Sequence, residues 1–170
     1  MSTLLVIRGN SGSGKSTAAR TLQHALGAVW IEQDYFRRTV LGETGNYSPL
    51  SVELIEQSAA LALRHGRIVI MDGMFNASLY SETFQRLRDG HAGASLFYAY
   101  DLSFEQTLLR HATRTDKVRD FGEHEMRRWY HGWNPLDGIV EQRIPPGETL
   151  EGTVARLLAD ARAVGCDDAG

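Results

Sequence analysis

An open, all-parallel β-sheet with helices on both faces is the fold class that three observations in this sequence predict. Short β-branched runs alternate with stretches of helical hydrophobic spacing, the pattern of β-α-β units. Gly9-Asn10-Ser11-Gly12-Ser13-Gly14-Lys15-Ser16 fits G-x-x-x-x-G-K-[ST] in full, between the first such run and the first helical stretch. Two further runs end on an acid, at Asp34 and at Asp72-Gly73, at the strand ends where such sheets bind ligands.

The elements follow in chain order. Leu4-Leu5-Val6-Ile7 reads as a buried strand, and Thr17 to Leu26 as a helix with Ala18, Ala19, Leu22, Ala25 and Leu26 on one face. Ala28 to Ile31 is a second strand that ends at Glu32-Gln33-Asp34 and runs into Tyr35 to Leu41. Gly42 to Pro49 is turn-rich, and Pro49 opens a helix to about Arg64 that Gly66 stops. Arg67 to Gly73 is a third strand, Asn76 to Asp89 an amphipathic helix, and Ala94 to Tyr100 a fourth strand. Ser103-Phe104-Glu105-Gln106 has capping-box spacing and starts a helix to about Thr115. Glu123 to His131 is expected to be helical, Gly132 to Gly138 a turn, Ile139 to Ile144 a fifth strand, and Thr149 to Val164 a closing helix with a frayed tail over 166–170.

At 170 residues the chain has the length of one domain, residues 1–170, with a proper core. Its 42% hydrophobic and 23% charged residues are those of an ordinary globular protein. A net charge of -3 argues against a broad nucleic-acid surface. The single cysteine, Cys166, is placed in the polar tail and excludes an intrachain disulfide, which fits a reducing, cytoplasmic setting. The N-terminus runs straight into the first strand, so no leader is expected, and no apolar run approaches the ~20 residues of a membrane helix.

The phosphate-loop motif carries the chemistry. Consecutive backbone N–H groups at a helix N-terminus meet a triphosphate without many cations. Asn10 to Thr17, through Ser11, Gly12, Ser13 and Gly14, are therefore the expected nucleotide cradle. Lys15 is expected to reach the β and γ phosphates, and the Ser16 hydroxyl to ligate Mg²⁺. Arg outnumbers Lys sixteen to two in the chain, which makes a Lys at this position pointed.

Asp34 and Arg37 form D-x-x-R after the second strand. Asp34 is either a helix N-cap or a base that takes the proton of an attacking hydroxyl; beside a phosphate loop it is the first choice for base. Arg37 either holds a substrate anion or steadies Asp34. Asp72 either caps the next helix or holds Mg²⁺, directly or through water, and the two acids are interchangeable in these roles on sequence alone. Arg110 and Arg114, four apart on one helix face, are expected to form a lid over the phosphates across about 110–121. Arg119 is read as solvated. Trp129, Tyr130 and Trp133 are candidates for an acceptor pocket or for core. The histidines lack metal-ligand spacing, His124 and His131 being seven apart, and are read as surface residues.

With these motifs in place the chain resembles the small P-loop phosphotransferases of the nucleoside and nucleotide kinase superfamily, in particular the branch of zeta toxins, chloramphenicol phosphotransferase and polynucleotide 5'-hydroxyl kinases. The resemblance implies the P-loop NTPase three-layer α/β sandwich with a five-stranded parallel sheet. It implies ATP with Mg²⁺ as donor, Asp34 as base, and Arg110 with Arg114 over the phosphates. Adenylate-type kinases carry D-G-[FY]-P-R after the third strand, whereas Asp72-Gly73 here continues as Met74-Phe75-Asn76, without the Arg that grips an acceptor phosphate. The expected acceptor is therefore a small hydroxylated molecule: a sugar nucleotide, nucleoside or antibiotic. The runner-up is a polynucleotide 5'-hydroxyl kinase, for which Arg37, Arg38 and Trp129 would supply a small basic channel. A nucleotide switch or non-kinase ATPase is the alternative of another class, although N-K-x-D and L-S-G-G-Q are both missing.

Overall fold

The computed structural model describes residues 2–44, 48–113 and 121–166. Five parallel strands, β1 (Thr3–Arg8), β2 (Val29–Glu32), β3 (Ile68–Gly73), β4 (Ala94–Tyr100) and β5 (Gln142–Ile144), lie in the order β2-β3-β1-β4-β5. The helices are α1 (Lys15–Leu26), α2 (Pro49–Arg64), α3 (Ala77–Asp89), α4 (Phe104–Ala112), α5 (Glu123–Trp129) and α6 (Leu150–Cys166).

Because side chains alternate along a strand, β1 serves both faces of the sheet. Leu4 and Val6 join Ile31, Ile55, Phe84 and Phe97 on the face that α2 and α3 cover. Leu5 and Ile7 join Leu22, Ile70, Tyr98 and Leu157 on the face that α1 and α6 cover. The central strands are buried on both sides, which is why they read as continuous apolar runs rather than alternating ones.

Local signals largely set the helix ends. The Ser103 hydroxyl accepts from Gln106 N and the Gln106 side chain accepts from Ser103 N, the expected capping box. Ser48 caps α2, with Pro49 in its first turn. Asn76 caps α3 by accepting from Ser78 N at 3.0 Å. The segment after β2 is a π-helical turn, Tyr35–Val40, closed by Leu41 N donating to Phe36 O at 3.0 Å.

Several expectations are corrected. The fifth strand begins at Gln142 rather than Ile139, because Glu141 is drawn away into a buried ion pair with Arg8 and Val140 is 92% exposed. The fifth helix ends at Trp129, two residues short of His131, where the chain turns to bond the phosphate loop. Cys166 belongs to α6 rather than to a tail; residues 167–170 of the expected tail lie outside the described residues. So do Arg114, Arg119 and most of the expected lid over 110–121. His111 is buried rather than on the surface: it stacks on Phe121 with ring centroids 4.7 Å apart and bonds the Phe121 carbonyl at 3.1 Å. Among the described residues no helix is long and apolar enough to cross a membrane.

Candidate active site

The phosphate loop leaves β1 at Arg8 and enters α1 at Lys15, turning with φ of +81° at Gly12 and +107° at Gly14. Only glycine takes such angles freely. At Gly12 a Cβ would also lie 2.6 Å from the Thr107 carbonyl and 2.9 Å from Met126 Cε, so α4 and α5 rest directly on the loop. The turn is held inside by Ser13 N donating to Asn10 O at 3.2 Å, and the Lys15 ammonium lies 3.5 Å from the same carbonyl. Thr17 N donates to Gly14 O as the helix begins. Ser11 stands half-buried in the loop, and the Ser13 hydroxyl is buried without a partner among the described residues.

Asp72 ends β3 beside Ile7 of β1 and Glu32 of β2, fully buried. Ser16 Oγ donates to its Oδ2 at 2.7 Å and Trp30 Nε1 to its Oδ1 at 2.6 Å. It is not the cap of α3, the role that Asn76 fills. Burial pushes its carboxyl above the usual carboxylate range, opposed by the Ser16 bond, by the nearby Lys15 charge and by the Trp30 bond, while the Asp34 charge adds to the rise. The charges of Lys15 and Asp34 thus both act on the Asp72 carboxyl, in opposite directions.

Asp34 differs in every respect. Its side chain is 56% exposed and caps no N–H of the π-helical turn that follows. Its Oδ1 lies 3.6 Å from Arg37 Nη1 and 3.9 Å from Arg38 Nε. Arg37 is only 4% exposed, and its Nε finds no acceptor among the described residues. Arg37 lines a cavity of about 150 Å³ together with Gln33, Tyr80, Arg128, Trp129 and His131. Gln33 shapes the floor: its Oε1 accepts from Met74 N and Phe75 N, holding the turn in which Phe75 sits at φ +38°, a conformation an aromatic residue adopts only when its surroundings enforce it.

That enforcement comes from Arg8, which donates to the Phe75 carbonyl at 2.8 and 3.1 Å, to Asn134 O at 2.8 Å and to both oxygens of buried Glu141 at 2.7 Å. The segment 131–141 is thereby strapped across the strand ends. Asn10 joins the strap to the phosphate loop, accepting from His131 N at 2.9 Å and donating to Gly132 O at 3.1 Å.

Arg110 lies against the loop from the other side. It donates to the Ser13 carbonyl at 2.8 Å and to Pro146 O and Glu148 O in the β5–α6 connection, with its guanidinium 5.7 Å from the Tyr100 ring centroid. Of the three candidate aromatics, only Trp129 lines the cavity, with Arg38 over its ring at 5.8 Å. Tyr130 donates to Leu102 O and packs on Phe104, and Trp133 lies 4.2 Å beneath Arg143.

Sequence reasoning missed Trp30, Gln33, Arg8 with Glu141, and Arg128. Arg8 had a signal, a charge ending an otherwise apolar strand directly before Gly9. Glu141 and Arg128 had none, because both act across long sequence separations.

Comparison with known proteins agrees with this architecture. A gluconokinase from Sinorhizobium meliloti superposes with a TM-score of 0.69 at 18% identity, covering 96% of this chain and 94% of that one. The Mycobacterium tuberculosis APS kinase CysC, solved with AMPPNP and APS, gives 0.65 at 12% identity over 95% and 96%. A chain of the Pnkp1/Rnl/Hen1 RNA repair complex gives 0.54 at 24% identity over 74% of this chain and 42% of that chain. A search of curated proteins finds no match. Identities this low establish the fold, the α/β P-loop kinase fold, and nothing of the acceptor. Residues 4–96, more than half of the chain and the part that carries the phosphate loop, Asp34 and Asp72, match the AAA domain family, and the chain belongs to that family.

Proposed function

We propose that the protein is an ATP- and Mg²⁺-dependent phosphotransferase that moves the γ-phosphoryl group to a hydroxyl of a small acceptor, with Asp34 as general base. The observation that carries this reading is the contrast between its two acids. Asp72 is buried and bonded to Ser16, whereas Asp34 is exposed, caps nothing and stands beside a cavity through Arg37. Two carboxylates placed in such different environments beside one phosphate loop are suited to different tasks.

Mg²⁺ fits these residues. It takes oxygen donors and keeps several waters and phosphate oxygens, needing only one or two protein ligands. The Ser16 hydroxyl and, through water, Asp72 are such donors, and no cluster of three or more His, Cys, Asp or Glu is present among the described residues. When bound, the ion supplies charge neutralisation between the β and γ phosphates.

The chain's own groups do the rest. Loop amides from Ser11 to Ser16 orient the triphosphate, and Lys15 meets the charge on its β and γ oxygens. An acceptor hydroxyl seated beside Asp34 gives its proton to that carboxylate as its oxygen bonds the γ-phosphorus; the bond to the β-bridging oxygen breaks and ADP leaves. Arg37 orients Asp34 through their ion pair. Arg110 holds the loop from the lid side, and Arg110 and Arg114 are proposed to meet the phosphates of the nucleotide.

Purified protein given Mg–ATP and a library of hydroxylated metabolites tests the proposal. Acceptor-dependent ADP release is expected, and it should fall by about 10²-fold or more in Asp34→Asn while nucleotide affinity persists. Turnover stimulated by a protein or RNA partner, and by no small hydroxyl compound, would overturn it.

A further inference from the structure

Two side chains from different elements grip the Asp72 carboxylate. Ser16, in the first turn of α1, donates to Oδ2 at 2.7 Å, and Trp30, in β2, donates from Nε1 to Oδ1 at 2.6 Å. The sheet register explains the reach of the indole. Trp30 lies opposite Ile70 and Glu32 opposite Asp72, so Trp30 and Asp72 stand two residues out of step on neighbouring strands, on one face of the sheet. The Trp30 ring packs there against the core that Leu5, Ala19, Leu22 and Ile70 build beneath α1. Packing alone does not account for the bond. Trp30 is only half-buried, and a partly exposed N–H can be met by water. Here it is committed to a fully buried acid, at a length below the roughly 2.7–2.9 Å usual for charge-assisted N–H bonds.

We infer that Trp30 is a positioning residue for the cation site: its indole N–H fixes the Asp72 carboxylate so that Oδ2 stays on Ser16 while the Ser16 oxygen serves the ion. The two donors divide this work by their chemistry. A serine hydroxyl can give its proton to Asp72 and still offer lone pairs to a cation, whereas an indole N–H is a donor only and can never become a ligand. Ser16 is thus shared between acid and ion, and Trp30 belongs to the acid alone. With Oδ1 held from β2 and Oδ2 from α1, the carboxylate plane is fixed at both ends; without Trp30 it is held at one. The inference rests on the kinase reading for the identity of the ion, while the grip of Trp30 on Asp72 stands on the geometry alone. Groups that orient a metal's ligands in this way set its affinity without touching it.

The test compares wild type with Trp30→Phe, which keeps an aromatic ring against the core and removes the N–H. Each protein is titrated with AMPPNP by calorimetry, in EDTA and at a series of Mg²⁺ concentrations. In the variant the Mg²⁺ concentration that gives half of the metal-dependent gain in affinity should rise by about 10-fold to 100-fold, whereas the affinity in EDTA should be unchanged. An unchanged Mg²⁺ requirement, or the same loss of affinity with and without Mg²⁺, would overturn the inference and leave the kinase reading standing. No Mg²⁺ dependence in wild type would overturn both. A second measurement needs no substitution at Trp30. In nitrogen-edited NMR spectra, with the indole signals of Trp129 and Trp133 identified through Trp129→Phe and Trp133→Phe, the remaining Trp30 signal should lie downfield and move when Mg²⁺ is added to the AMPPNP complex. A Trp30 signal that does not respond to Mg²⁺ would overturn the inference.

Discussion

On the proposed kinase reading, the nucleotide side and the acceptor side of the cleft follow opposite rules. On the nucleotide side the chain satisfies itself: Asp72 has Ser16 and Trp30, Arg8 has Glu141 and two carbonyls, Asn10 has the strap, and Arg110 has three carbonyls. The Ser13 hydroxyl is the exception. On the acceptor side Asp34 is half open to solvent and, among the described residues, Arg37 Nε is unmatched and no acid lines the cavity, although Glu43 bonds Ser48 at its edge. A triphosphate presents one constant pattern to backbone amides, so its site is built in advance. An acceptor must be distinguished from its relatives, and side chains not already matched within the chain leave room for that discrimination.

Substitutions on each side should fail in different ways. The largest effect is expected from Lys15→Ala, which removes the charge nearest the β and γ phosphates: transfer should fall to background, by on the order of 10³-fold or more, in a steady-state assay. Near-normal turnover would break the comparison at its root. Arg8→Met leaves Glu141 buried without its partner and should cost about 3–5 kcal/mol in urea unfolding. Adding Glu141→Leu should recover much of that loss, since the apolar pair no longer strands a charge.

Asp34→Asn should leave the fold and nucleotide affinity largely intact and lower kcat by about 10²-fold or more, the worth of a positioned base. Equal losses in nucleotide Kd and in kcat would move Asp34 to the nucleotide side. The smallest effect is expected from Asp72→Asn on the unliganded protein. A carboxyl raised above its unfolded value contributes stability that is fully present below the unfolded pKa and lost as pH rises through the folded one. Once ionised, the buried Asp72 is therefore a cost to the unliganded fold, and at pH above the ordinary carboxylate range Asp72→Asn should have a Tm equal to or above wild type while losing Mg²⁺-dependent nucleotide affinity. In wild type that affinity should decline on acidification from a pH above the ordinary carboxylate range, and the decline should be absent in the variant.

The same division governs what was legible in the sequence. The phosphate loop is contiguous, so its motif and flanking periodicity announce both strand and helix, and Asp34 and Asp72 follow because parallel strands end at one edge of the sheet. The alternative that both acids are caps could be weighed only in the structure, where Asn76 caps α3 and Asp34 caps nothing. The acceptor side is assembled from the β2 end, the β3–α3 turn, α2, α3 and α5. No local pattern records that Arg128 and Arg37 line one cavity, or that Glu141 leaves β5 to reach Arg8. Tertiary pairing at long sequence separation overrode strand propensity at Ile139-Val140-Glu141, where a hydrophobic run became part of a strap.

The most direct measurement is a calorimetric titration of the purified protein with AMPPNP, with and without Mg²⁺. The account predicts a saturable heat with one site per chain that needs Mg²⁺ and is lost in Lys15→Ala. No magnesium-dependent heat, or the same heat in Lys15→Ala, would contradict it.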